Sequence, residues 1–205
     1  GRRFQPRVVP AGNYSAREQW SVPWTLARAK VDLFHAPHYV VSPFTTCRFV
    51  VTIHDCIHLR FPQYLPSRGA LTYAPLMMGF SARRSQRVLT VSQASKDDIL
   101  HYLRVPAGKV EVVYNALDTR LAAEPTADEV AHVRERFQLN APFVLYTGNI
   151  KPHKNVDRLI DAFAILREKR SDDVKLLIIG DEASKYPNLR RSVHRHQLHQ
   201  HVRFL

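Results

Sequence analysis

Apolar runs of strand length alternate with helix-like segments along most of this 205-residue chain. The runs are rich in consecutive Val, Ile and Leu, a pattern typical of strands buried on both faces of a parallel sheet. The segments between them carry apolar residues at helical spacing and can form the crossovers that parallel strands require. The sequence therefore predicts an α/β fold. The predicted strands cover residues 32–37, 48–55, 87–92, 109–115, 143–148, 174–181 and 202–205, and the predicted helices cover 68–85, 92–103, 127–137, 155–169 and 186–200.

The alternation weakens between residues 116 and 141, where the sequence is polar and contains a proline. Such a stretch marks a connection. It predicts two doubly wound units, residues 1–117 and residues 118–205, the second beginning with the linker. Three predicted strands are few for a sheet covered on both faces, and the last one coincides with the end of the sequence. We therefore expect both units to be parts of larger domains in a longer protein.

Composition places the chain among soluble globular proteins, because 45% of its residues are hydrophobic and 23% are charged. Its two cysteines, Cys47 and Cys56, lie in or beside apolar runs, which argues against a disulfide scaffold and fits a reducing compartment. The first ten residues lack the apolar core of a signal peptide. The expected location is the cytoplasm, with the inner face of the membrane as an additional place of action.

The positive charge is concentrated in the first unit. Residues 1–117 hold 15 Lys and Arg against 6 Asp and Glu, a net +9, whereas residues 118–205 hold 15 against 12, a net +3. A basic surface favours an anionic partner such as a phosphorylated substrate, nucleic acid or an acidic membrane, although a high pI alone is also common. The basic residues are scattered and form no nucleic-acid motif. We therefore expect no nucleic-acid partner.

A strand–glycine–lysine–helix corner follows residues 143–147. Gly148 ends the strand, Lys151 and Lys154 follow in a polar turn, and a helix begins next. Ligands of open parallel sheets bind at the carboxyl ends of strands, where a helix N-terminus carries partial positive charge. Gly180 repeats the pattern at the end of the next strand. The corner is either a diphosphate site or a pair of tight turns, and the residues alone leave both readings open.

The first unit has a comparable corner at the end of its second strand, where His54 and Asp55 stand together. A histidine at this position can accept a proton or bind a hydroxyl near neutral pH. An adjacent aspartate can orient the ring or a sugar hydroxyl. A single histidine at a strand end is, however, more often structural.

Several segments together resemble glycosyltransferase family 4, whose members are retaining enzymes of the two-domain GT-B fold. The resemblance covers residues 32–205, and the segments that carry it follow in the family's order: VVTIHDCIHLRFPQYLP, SARRSQRVLTVSQASKDDI, VEVVYNALD, LYTGNIKPHKNVDRLIDAFAIL and KLLIIGD. It is closest to bacterial mannosyltransferase-type members. It implies two Rossmann-like domains facing a cleft, with residues 1–117 on the acceptor side and residues 118–205 beginning the domain that binds a nucleotide-sugar.

The resemblance also implies roles for the donor-side residues. Lys154 pairs with the donor diphosphate, beside Gly148 and Asn149. Many members carry an arginine where this chain has Asn149, so that contact is absent and Lys151 is the candidate replacement. Gly180 is a further candidate for lining the cleft.

On the acceptor side, the resemblance places His54 at the reacting sugar and Asp55 near the acceptor, as the expected catalytic pair. Ser92 lies at a strand end that faces the cleft in the family. The family's glycine-rich loop would precede residue 1 and its paired glutamates would follow residue 205. The chain as given is therefore expected to be inactive alone.

No metal site or cofactor is expected, since the nucleotide-sugar is a substrate and GT-B enzymes bind its phosphates without a metal. Two histidine groups are candidate zinc ligands, His35, His38, His54 and His58, and His194, His196, His199 and His201. Zinc needs tightly convergent ligands, and the second group is divided between two faces of its predicted helix, so a solvated helix face is the favoured interpretation there. The expected acceptor is a glycan or a lipid-linked glycan at an anionic membrane, and the transferred sugar is mannose. The alternatives are a nucleotide-sugar epimerase and a non-catalytic binding protein of the same fold.

Overall fold

The computed structural model describes residues 4–12, 15–65, 67–121, 123–169, 173–180 and 186–205. The chain divides into two compact units, Gly1–Leu117 and Asp118–Leu205. The predicted strand 174–181 ends at Asp181, which lies outside the described residues.

The first unit is built on a parallel sheet with the strand order β1-β2-β3-β4. Each strand is followed by a crossover to the next, as parallel pairing requires. Its described elements are α1 (Ala16–Arg28), β1 (Leu33–Ala36), β2 (Arg48–Thr52), α2 (Ile57–Arg60), α3 (Arg68–Arg84), β3 (Val88–Thr90), α4 (Gln93–Leu103) and β4 (Val110–Val112).

The core of the first unit lies between this sheet and its helices. Val51 and Val88 of neighbouring strands are fully buried, together with Met78 of α3 and Ile99 of α4. β-Branched residues suit the two central strands because their side chains pack well on a pleated surface. Packing of this kind holds the carboxyl ends of the strands in place, where His54 and Ser92 follow.

The second unit is built on a parallel sheet with the strand order β5-β6-β7. Leu176 and Ile178 of the central strand pack against Ile160 and Phe163 of the helix that precedes this strand. The described elements are α5 (Ala127–Phe137), β5 (Phe143–Thr147), α6 (Val156–Lys169), β6 (Lys175–Ile179), α7 (Pro187–Arg195) and β7 (Val202–Phe204).

The α/β prediction with parallel sheets is confirmed, and each predicted strand and helix has a counterpart in the structure. Each strand is shorter than its predicted range. The outer residues of these ranges that the structure describes lie in loops or turns, outside the paired strands. The predicted helix 186–200 ends at Arg195 instead. Gln197 adopts a left-handed backbone with φ of 54°, and the Leu198 amide closes the helix end by donating to the Val193 carbonyl.

Two helices, α1 and the short α2, were not predicted from the sequence. Ser15 caps α1 by accepting a hydrogen bond from the Glu18 amide at 3.2 Å. The Ser-x-x-Glu spacing of this cap is a recognised start signal that could have located the helix. Pro23 interrupts the apparent helical pattern, yet it lies buried within α1.

Candidate functional site

The glycine corner of the second unit joins the ends of β5 and β6. Gly148 follows β5 with φ of +146°, a backbone conformation that L side chains rarely adopt. Its amide donates to the Ile179 carbonyl at 3.0 Å. A Cβ added to Gly180 would lie only 2.6 Å from the Gly148 carbonyl oxygen. The structure thus brings Gly148 and Gly180 into direct contact at one edge of the sheet, and both positions require glycine for steric reasons.

The chain beyond Gly148 is held by its neighbours up to the start of α6. The Tyr146 hydroxyl donates to the Asn149 carbonyl at 2.9 Å, and Ile150 is buried in the core. One turn of 3-10 helix over Pro152–Lys154 follows, and Asn155 takes a left-handed backbone with φ of 56°. α6 begins at Val156, so Lys154 lies just before the helix rather than at its first residue.

Lys151 and Lys154 both extend from this corner as exposed side chains. Within the described part of the chain, no ion pair links either lysine to a carboxylate. The corner therefore combines two lysine ammonium groups with the positive end of a fourteen-residue helix. Asp157 in the first turn of that helix is the nearest opposing charge along the sequence. Such an arrangement suits an anion carrying more than one negative charge.

His54 lies in the loop at the carboxyl end of β2, exposed to solvent. Its Nε2 is 3.0 Å from the Pro37 carbonyl oxygen, at the end of β1. Because a carbonyl oxygen only accepts hydrogen bonds, Nε2 donates here. The neutral ring then keeps the lone pair on Nδ1, which can accept a proton or a hydroxyl hydrogen.

Asp55 is also exposed, and its Oδ1 accepts a hydrogen bond from the Ile57 amide at 3.0 Å. This contact holds the turn that leads into the short helix α2. The described hydrogen bonds of Asp55 go to the backbone and not to the His54 ring.

A pocket beside His54, with a largely apolar lining and a few polar side chains, was not predicted from the sequence. It lies at the carboxyl end of β1 and includes Glu18 and Gln19 of α1, with His38 and Ser42 from the loop. The Gln19 Oε1 atom is buried there without a hydrogen-bond partner among the described residues. Burial lowers the pKa of His38, aided by nearby His54 and His58. This environment therefore favours the neutral form of His38.

Ser92 has an ordinary structural function. It precedes α4, and its Oγ accepts a hydrogen bond from the Ser95 amide at 3.1 Å, which is a helix N-cap. The Cys56 thiol, beside Asp55, is fully buried, and this burial raises its pKa to about 12. Cys56 is therefore unsuited to act as a nucleophile.

The histidines of the described ranges make separate contacts and form no metal centre. His35 contacts the Thr52 hydroxyl at 2.8 Å, His196 contacts Asp161, and the His194 and His199 rings pack edge to face. No group of three His, Cys, Asp or Glu residues in the described ranges is arranged to hold a metal ion. In the same ranges, no helix has both the length and the apolar character needed to cross a membrane.

Comparison with known proteins identifies the family. The family model for Glycosyltransferase Family 4 matches residues 1–121, more than half of the chain. The chain belongs to glycosyltransferase family 4. A second model, Glycosyl transferases group 1, matches residues 128–205. The resemblance drawn from the sequence motifs is therefore confirmed.

Curated relatives of this family 4 chain are longer than it is. O-antigen chain mannosyltransferase B of Escherichia coli is 26% identical over 179 residues, which cover 87% of this chain and 46% of the relative. Alpha-D-kanosaminyltransferase of Streptomyces kanamyceticus is 30% identical over 158 residues, which cover 76% of this chain and 40% of the relative. The chain thus spans less than half the length of these relatives.

Solved structures support the GT-B fold. The Anabaena protein HepE, crystallised with UDP-glucose, superimposes with a TM-score of 0.70 at 21% identity, over 90% of this chain and 51% of HepE. WaaG, a glycosyltransferase involved in lipopolysaccharide biosynthesis, gives a TM-score of 0.66 at 15% identity, over 96% of this chain and 55% of WaaG. At these identities the likeness establishes the fold alone.

Proposed function

We propose that the protein transfers a sugar from a nucleotide-sugar to an acceptor hydroxyl with retention of configuration. The observation that carries this proposal is the Gly148–Lys154 corner, in a chain that belongs to family 4. Two exposed lysines and the start of α6 converge at a strand end where a ligand of this fold class binds. The glycines are required by the turn itself, so the electrostatic argument rests on the lysines and the helix.

The donor side would work by holding the departing nucleoside diphosphate. Positive character develops at the anomeric carbon as the sugar leaves, while negative charge builds on the phosphate. Lys154 and the N-terminus of α6 stabilise that negative charge, with Lys151 compensating for the absence of an arginine at Asn149. Gly148 and Gly180 allow the backbones at the ends of β5 and β6 to approach each other closely. HepE was crystallised with UDP-glucose, which supports a nucleotide-sugar as donor.

The acceptor side is assigned to the first unit, with His54 at the reacting sugar and Asp55 nearer the acceptor. The hydrogen bond from His54 Nε2 to Pro37 fixes the ring and leaves Nδ1 open for a hydroxyl. Asp55 contributes mainly by shaping the loop, because its carboxylate binds the Ile57 amide. Ser92 supports the adjacent strand end as a helix cap. We propose no metal or cofactor.

Mannose is the proposed sugar, and a glycan or lipid-linked glycan of a bacterial surface polysaccharide is the proposed acceptor. Two of the relatives are named O-antigen chain mannosyltransferases. Their names support the choice of sugar and acceptor class. A lipid-linked acceptor would bring the enzyme to the cytoplasmic face of the membrane, where its basic first unit meets anionic lipid. Nucleic acid is not a proposed partner.

The test is a transfer assay on the longest natural polypeptide that contains this chain. It would be supplied with GDP-mannose or UDP-glucose and a bacterial lipid-linked glycan extract, and release of nucleoside diphosphate and glycosylated product would be measured. Replacing Lys154 with alanine should reduce kcat/KM for the donor by a factor of about 100 or more, because it removes a charge that stabilises the leaving group. The matched control is Lys169→Ala, an exposed lysine at the opposite end of α6.

Equal activity of Lys154→Ala and Lys169→Ala would refute the role of Lys154. Conversion of the donor into its epimer without any acceptor would instead establish the epimerase alternative. Donor binding with neither product would indicate a non-catalytic protein.

A further inference from the structure

The Tyr146 side chain connects the core of the second unit to the glycine corner. Tyr146 lies near the end of β5 and is paired with Ile178 of β6. Because residues paired across a sheet share a face, the Tyr146 ring lies over the same core as Ile178 and packs against it. The ring is thus held by the core, while its hydroxyl extends to the corner.

The turn after β5 wraps around this hydroxyl. The Tyr146 hydroxyl donates to the Asn149 carbonyl at 2.9 Å, and a Cβ added to Gly148 would lie 3.5 Å from the same hydroxyl oxygen. The turn is attached on both sides of this contact. The Gly148 amide donates to the Ile179 carbonyl at 3.0 Å, and the Ile150 side chain is buried in the core. Tyr146 therefore holds the peptide that lies between these two anchors.

The direction of the peptide between Asn149 and Ile150 decides what an anion at the corner meets. A backbone N–H attracts a phosphate oxygen, whereas a carbonyl oxygen repels it. The two groups of a trans peptide point in opposite directions. Rotation of this peptide about the axis joining its two Cα atoms would exchange them while Ile150 stayed in the core. The hydrogen bond from Tyr146 opposes this rotation, because it keeps the carbonyl oxygen at the phenol ring.

The same contact precedes the turn that carries both lysines. Lys151 follows Ile150 directly and opens the 3-10 turn over Pro152–Lys154. The Lys154 amide donates to the Lys151 carbonyl at 2.9 Å, so one backbone turn joins the two lysines. A change in the peptide before Lys151 therefore changes the starting point of this turn and the placement of both ammonium groups.

We propose that Tyr146 is a positioning residue of the donor site, which holds the Asn149–Ile150 peptide in the orientation that receives a diphosphate. The inference rests on the proposed function for the identity of this ligand. Tyr146 acts through the backbone and needs no contact with the ligand. It keeps a carbonyl oxygen away from the phosphate oxygens before the diphosphate binds. Polar groups that are already oriented in this way need no reorganisation when the charged ligand arrives.

Tyr146→Phe tests the proposal, since it removes the hydroxyl and retains the ring that packs against the core. Isotope-labelled 205-residue chain would be titrated with inorganic pyrophosphate and with GDP, and the amide chemical shifts of Gly148–Asn155 would give the affinity. Pyrophosphate reports on the anion site alone, because it carries neither base nor ribose. The variant should bind both ligands about three- to tenfold more weakly than the parent, as expected for the loss of one hydrogen bond.

The matched control is Tyr102→Phe, which removes the hydroxyl of an exposed tyrosine on α4 in the first unit. It should leave both affinities unchanged. The carbonyl carbon shift of Asn149 and the amide nitrogen shift of Ile150 report on the hydrogen bond itself. Both should change in Tyr146→Phe without any ligand, while the amide shifts of α7 stay close to those of the parent. Circular dichroism melting would check that both variants are folded at the temperature of the titration.

Equal pyrophosphate affinity of Tyr146→Phe and the parent would overturn the proposal, and so would an Asn149 carbonyl shift that is the same in both proteins. A lower melting temperature with unchanged pyrophosphate affinity would show that the hydroxyl serves stability alone. Failure of the proposed function gives a different result, in which the corner amides of the parent respond to neither ligand, and the positioning role falls with it.

Discussion

Gly180 has no room for even one side-chain carbon, because the Gly148 carbonyl oxygen lies too close. A methyl group at this position would meet the Gly148 carbonyl oxygen at 2.6 Å and Ile150 Cγ1 at 3.2 Å, and the carbonyl belongs to a backbone already fixed by the Ile179 hydrogen bond. We predict that Gly180→Ala lowers the free energy of unfolding by about 1–3 kcal/mol. Urea denaturation followed by circular dichroism would measure this.

The matched control for that prediction is Gly108→Ala, since an added Cβ there meets no atom within 4 Å. It should change the free energy of unfolding by no more than about 0.5 kcal/mol. If the two alanine variants were equally stable, the close approach of the two strand ends would be wrong.

At the level of residues, the positions of the candidate site residues could be predicted from the sequence, but their roles could not. Gly148 and Gly180 were recognisable because glycine at a strand end is a strong local signal. Whether they serve a turn or a ligand depends on the contact between two segments about thirty residues apart, which no local pattern contains. The pocket lined in part by Glu18 and Gln19 was missed for the same reason, because its members come together only where α1 meets the loop after β1.

At the level of secondary-structure elements, the carboxylate of Asp161 on α6 links this helix to α7 and the residue that follows it. Asp161 Oδ1 accepts hydrogen bonds from His196 Nε2 at 2.9 Å, Ser192 Oγ at 3.0 Å and Arg195 at 3.0 Å. These contacts, the one from His196 foremost, hold the pKa of Asp161 below its usual value of 3.8. A carboxyl with a depressed pKa stabilises the fold fully above its usual pKa, and this contribution is lost as the pH falls through the folded-state value.

We therefore predict that Asp161→Asn lowers the free energy of unfolding at pH 7 by up to about 1 kcal/mol, a modest value because the carboxylate is partly exposed. The difference between parent and variant should shrink as the pH falls below 3.8 and the parent carboxyl becomes protonated. Urea unfolding at several pH values would measure this difference in the free energy of unfolding. The control is Glu168→Gln on the same helix. A difference that stayed constant down to low pH would contradict the assignment.

The elements with strong periodicity were predictable, and those with weak local signals were not. Apolar runs of strand length located the strands, and the pattern is clearest in the central strand β6, where Leu176, Leu177 and Ile178 are all buried. α1 was missed because Pro23 and the outward tryptophans disguise its amphipathic character. α7 was predicted too long because the left-handed Gln197 that ends it is not a residue usually associated with helix termination.

For the whole molecule, the two compact units match two family models in chain order. The models cover residues 1–121 and 128–205, and the units divide after Leu117. The charge is uneven between them, at net +9 and +3. In the function proposed above, the first unit meets the acceptor and the second unit holds the donor. The chain spans 46% of the length of its E. coli relative, and the proposed anion binding at the corner can be examined on the chain itself.

The most direct measurement is therefore a titration of isotope-labelled protein with GDP and with UDP, followed by amide chemical shifts. The predicted result is a saturable shift of the amides of Gly148–Asn155, with a dissociation constant on the order of millimolar, and a weaker response in Lys154→Ala than in Lys169→Ala. Saturable shifts elsewhere in the chain, or shifts at the corner that Lys154→Ala leaves unchanged, would contradict a donor diphosphate site at this corner.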